Sequence, residues 1–154
     1  MATQKPFPQA GFLRHLELLV ESAPGAADAS LPPALARMLL ASDGAGATPA
    51  VAHLIQLLRA RNAMLQASFD TELAADELRR YQKYSKPGPP SPHIVLLRQS
   101  QAAARLASSR SKQSFIHAAT AFVRTAGIQK PPRLPLEVFA NRWIDSNVPT
   151  EFAP

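Results

Sequence analysis

The sequence predicts an all-α protein: an elongated bundle or hairpin of two long helices, a shorter N-terminal helix beside them, and a proline-rich extended C-terminal arm. Three observations carry this expectation. Residues 49–84 and 92–126 hold no glycine, and no proline after their first positions. Between them lies "KPGPPSP", residues 86–92, which cannot continue a helix because proline lacks the amide hydrogen and its ring collides with the preceding turn. Only "HIVLL" reads as a strand, and its Ser-Pro start assigns it to the beginning of a helix instead. The chain thus divides into a helical bundle over 1–131, hinged at 85–92, and an arm over 132–154 with a short helix of its own.

The elements follow in order. "GFLRHLELLVESA" places Phe12, Leu16, Leu19 and Val20 at helical spacing, which predicts a first helix over about residues 8–22. "SLPPALARMLLASDG" predicts a short helix with Ser30 near its N-cap, prolines in its first turn and Gly44 past its end. Thr48 and Pro49 then open a long helix whose stripe Leu54, Leu58, Leu65, Phe69 and Leu73 is the expected seam against other helices. Ser91 and Pro92 open a second, running to about Ala126, where Gly127 is placed to end it in the left-handed conformation. Its inward face is expected at Ile94, Leu97, Ala104, Phe115, Ala119 and Phe122, thin in the middle. The two long helices should pack antiparallel with the first as a third rod, and a last short helix should span Leu136 to Asp145.

Charge is unevenly placed. Every acid lies outside residues 78–136, where eleven Lys or Arg give +11, while the rest of the chain carries −5, for a formal net charge of +6. A field of one sign attracts polyanions, whether RNA, anionic lipid or an acidic protein surface. The focus is "LRQSQAAARLASSRSK", residues 97–112. Arg98, Arg105 and Lys112 recur every seven residues and so form a nearly straight line on a helix, with Arg110 and Arg124 flanking it. Helices that only cover a core usually mix their exposed signs. This stripe is therefore expected to bind an anionic partner, with a solvated face as the alternative. Tyr81, Tyr84 and Phe115 are the only aromatics near it, so phosphate contact is admissible and base readout is unsupported. Asp70, Glu72, Asp76 and Glu77 read as a solvated face or as partners for Arg79, Arg80 and Lys83.

Several chemistries lack their residues. The chain has no cysteine, hence no disulfide framework, thiolate nucleophile or Cys-ligated zinc. No phosphate-cradling glycine loop, nucleophile elbow or HExxH pair occurs, and His15, His53, His93 and His117 each lack a second ligand at i+3 or i+4. We expect no enzyme, no cofactor, no metal and no membrane span. In the arm, Leu134, Leu136, Val138, Phe139, Trp143, Ile144 and Phe152 need a surface, either a partner's, with Phe139 and Trp143 as anchors, or that of the bundle itself.

At "GFLRHLELL" the chain resembles the N-terminal motif of the LYR superfamily of small mitochondrial helical proteins, and within it the ATP-synthase assembly-factor branch. Gly11, Leu13, Arg14 and Leu16 are the matching positions, and "AGIQKP", residues 126–131, is similar to the stretch that often closes these proteins. The tyrosine of the family's name is Leu13 here, and the tail after Pro132 extends past the family's usual end. The resemblance implies a mitochondrial location and an accessory or assembly role in a respiratory or ATP synthase complex. It also implies contact with an acyl carrier protein, whose acidic surface would suit the basic stripe. The opening residues contain no clear cleavable presequence, so a cytoplasmic location is the alternative. The functional expectation is a non-enzymatic accessory or assembly subunit of such a complex; the alternative is an RNA-associated peripheral protein of an organellar ribosome.

Overall fold

The computed structural model describes residues 6–21, 33–39, 48–84, 87–89 and 91–150. All regular structure among them is helical: α1 (Ala10–Glu21), α2 (Pro33–Leu39), α3 (Pro49–Lys83), α4 (Pro92–Ala126) and α5 (Leu136–Asn147). The two long helices have 35 residues each, a length of about 50 Å at 1.5 Å per residue. They pack against each other as a hairpin, and α1 and α2 pack on α3 while α5 packs on α4.

The boundaries of α4 have local causes. The Ser91 hydroxyl accepts from the Ile94 N–H at 3.3 Å, satisfying one of the amides that a helix start leaves unpaired. At the other end Gly127 takes φ 70°, which costs a glycine nothing, and Ile128 N–H returns to the Val123 carbonyl at 3.0 Å. In the turn between the helices Gly88 has φ 143°, a conformation that side chains with a Cβ disfavour. Thr48 has the extended backbone of an N-cap, but its side chain caps nothing in α3. Its hydroxyl donates to the Met38 and Leu39 carbonyls at 2.9 and 3.1 Å, which ties the start of α3 to the end of α2. Ser30 and Gly44, expected at the ends of α2, lie outside the described residues.

The hairpin differs along its length. At one end, Phe12 and Leu16 of α1, Leu35 and Leu39 of α2, Val51, Leu54 and Leu58 of α3, Phe115, Ala119 and Phe122 of α4, and Ala140, Ile144 and Val148 form one buried core. Toward the hinge, among the described residues, Leu78, Ile94 and Leu97 make a second, small cluster. The intervening seam consists of small side chains. Ala67 and Ala74 are buried on α3, and Gln101, Ala104, Ser108 and Ser111 are half-buried on α4. The Thr71 hydroxyl also reaches the Ala104 carbonyl across the seam at 3.3 Å.

This corrects the expected seam. Leu54 and Leu58 are buried, but Leu65 and Leu73 are 44% and 40% exposed. α3 carries two apolar faces on nearly opposite sides, and the smaller residues, Ala67 and Ala74, face α4. Small side chains let two helix backbones approach closely, so their contacts are made along the whole seam. On α1, Phe12 and Leu16 are buried as expected, whereas Val20 is 55% exposed. The side chain of Leu19 is outside the described set.

The C-terminal segment lies on its own bundle. Trp143 meets Phe122 edge to face with ring centroids 5.0 Å apart, while Ile144 and Val148 are buried. Ion pairs fasten α5 to both long helices: Asp145 with Arg61 at 2.8 Å, and Glu137 with Lys112 at 3.4 Å. Phe152 lies outside the described residues.

Candidate docking surface

The predicted basic stripe divides into two parts. Lys112 is held by Glu137 of α5, so that end of the line faces the chain itself, a correction that follows from α5 folding back. Arg98, Arg105, Arg110 and Arg124 are exposed, and none forms an ion pair among the described residues. Arg98 and Arg105 stand beside the seam positions Gln101 and Ser108, on the flank that α5 covers at the other end; Arg110 projects away from them. Phe139 and Trp143, expected as partner anchors, are half-buried, and Trp143 packs against the core.

The four positions of the first-helix resemblance sit apart from this surface. Leu16 is fully buried and Leu13 packs against the core. Gly11 is half-buried, and Arg14 is exposed and paired with Glu17 at 3.7 Å. Glu17 also accepts from Arg59 at 3.0 Å, which joins α1 to α3.

At the hinge a cleft of about 660 Å³ is lined by Tyr81 and Tyr84 at the end of α3, Pro87 and Pro89 in the turn, and His93 and Arg98 of α4. Tyr81 and His93 meet edge to face at 4.2 Å, and Lys83 Nζ lies 5.7 Å from the centre of the Tyr84 ring. Tyr84 is 76% exposed. The fold thus collects aromatic and cationic groups that in sequence are separated by the proline turn. A second hollow of about 910 Å³ lies between α3 and α4, bordered by His53, Gln56, Arg59, Gln113 and His117 over a floor that includes Ala60 and Ala118. Among the described residues no three His, Asp or Glu side chains gather as a metal site, and no helix is long and apolar enough to cross a membrane.

No protein-family model, no curated protein and no solved structure matches this chain. Sequence reasoning missed one surface. With Ala67 and Ala74 in the seam, the outward side of α3 carries Leu65, Phe69 and Leu73 among Asp70, Glu72 and Glu77. The signal was present in the two apolar faces of α3, which overlap when only the larger residues are counted.

Proposed function

We propose that this chain is a non-enzymatic accessory subunit of a larger assembly, docking through the hinge half of its hairpin on an acidic partner. One observation carries the proposal: among the described residues, Arg98, Arg105 and Arg110 project from α4 toward the hinge, away from Lys112 where α5 is fastened, and none of them forms an ion pair. Unpaired charge of one sign on a thin two-helix arm speeds encounter with an opposite surface and sets its register. The resemblance in α1 supports a mitochondrial complex as the setting and an acidic carrier protein as one candidate partner. Replacing Arg98, Arg105 and Arg110 together with Glu should leave the circular dichroism spectrum unchanged, because exposed charges contribute little to monomer stability. Co-purification of partners at moderate salt should be lost; retention would leave the arginines as a solvated face.

The hinge cleft favours a second reading, an RNA-associated protein. Tyr84 and Tyr81 would offer stacking surfaces beside Arg98 and Lys83, the combination that sequence-tolerant single-strand binding uses. A gel shift on bulk RNA should then be strong at low salt and fall steeply as salt rises. No shift at low salt excludes this reading.

A further inference from the structure

The hinge half of the hairpin turns two apolar stripes outward, and their edges carry opposite charge. On α3, Leu65, Phe69 and Leu73 recur at i, i+4 and i+8, with Leu65 44% and Leu73 40% exposed. Asp70, Glu72 and Glu77 stand along this stripe, and among the described residues Glu72 and Glu77 form no ion pair; just past Leu73, Asp76 is paired with Arg79, and Arg80 is exposed. On α4, Val95, Ala102 and Leu106 recur at i, i+7 and i+11, with Val95 39% and Leu106 54% exposed. Arg98 and Arg105 stand along one edge and Arg110 along the other, and the helix contains no acid. Since Ala67, Ala74 and Ala104 occupy the seam between the helices, the two stripes face away from each other, and among the described residues no buried cluster includes either of them.

We infer that the occupant of each stripe is a second copy of this chain, the acid-edged stripe of α3 in one copy lying against the base-edged stripe of α4 in the next. The inference rests on the docking reading for its α4 half, and it names the acidic partner. The lengths agree: eight residues from Leu65 to Leu73 and eleven from Val95 to Leu106 rise about 12 and 16 Å. Apolar side chains meet at the centre, and carboxylates meet guanidinium groups at the rim, where charge sets orientation. Two copies joined in this way leave one α3 stripe and one α4 stripe free. Association is therefore head to tail, and it continues with concentration rather than stopping at a dimer. The contact is small and its charges are exposed, so it is weak and salt-sensitive.

Sedimentation velocity on the full chain, over about two decades of concentration, tests this. At low salt the weight-average mass should rise through dimer without a plateau, and added salt should shift the curve to higher concentration. An α3-blocked variant, Leu65→Lys with Leu73→Lys, and an α4-blocked variant, Arg98→Gln with Arg105→Gln and Leu106→Gln, alter only exposed side chains. Each should keep its helicity and stay monomeric alone. Mixed in equal amounts, they should form a dimer and nothing larger, because each supplies the one stripe that the other lacks. A wild-type chain that stays monomeric at low salt overturns the inference, as does association that survives either block, or a mixture that stays monomeric. A monomeric wild type leaves the docking reading intact, since that stands or falls by the co-purification of the triple Glu variant.

Discussion

At one end of the hairpin Leu54 and Leu58 of α3 are buried in a core with Phe12, Leu16, Leu35 and Leu39, while further along the same helix face Leu65 and Leu73 are partly exposed to water. The change occurs within a continuous helix, so it reflects what packs outside and not any break in α3. Three short helices clad one end and consume its apolar surface. Among the described residues the hinge half of each long helix is packed mainly on the other, joined by alanines, a threonine and a few larger residues at the tip. A two-helix arm of this kind buries little apolar area per residue, and burial supplies most of what holds a helix in place. The clad end therefore acts as the folding unit, and the arm is held out from it as a surface.

Substitutions can break or sharpen this contrast. The largest effect is expected in the clad core: Phe115 is fully buried, and Phe115→Ala should cost about 3–5 kcal/mol, a large share of a typical total of about 5–15 kcal/mol. Chemical denaturation would read this as a lower midpoint. A smaller loss is expected in the seam. Ala74 is 8% exposed, and Ala74→Leu should push the two helices apart at a cost of about 1–3 kcal/mol. A thermal melt that follows the helical signal would check it. The smallest effect belongs to the outer face: Leu65→Asp should change stability by no more than about 0.5 kcal/mol, with an unchanged melting curve. A collapse of that variant would place Leu65 in a seam after all.

Much of this architecture was legible in the residues. Ser91 with Pro92 and Gly127 mark the two ends of α4 through amide and φ requirements that act locally, and the helix begins and ends where they stand. Long-range pairing was less legible. Periodicity shows that α3 has apolar faces but not which of them meets α4, and large leucines outweigh alanines in any pattern count, although alanine is what a close seam needs. Arg98, Arg105 and Lys112 lie on one line of α4, as a seven-residue spacing on a helix requires. The loss of Lys112 to Glu137 depended on α5 folding back, which composition left equally balanced against docking elsewhere. Collection of Tyr81, Tyr84, His93 and Arg98 into one cleft likewise required the turn to close.

Native-state hydrogen exchange resolved by residue tests the division of the hairpin most directly. Amides of residues 51–58 and 115–122 should exchange only through global unfolding, whereas those of residues 67–78 and 97–108 should exchange through a smaller, separate opening and much sooner. Equal protection along the whole of α3 and α4 would contradict the account, since the arm would then be as firmly held as the core it projects from.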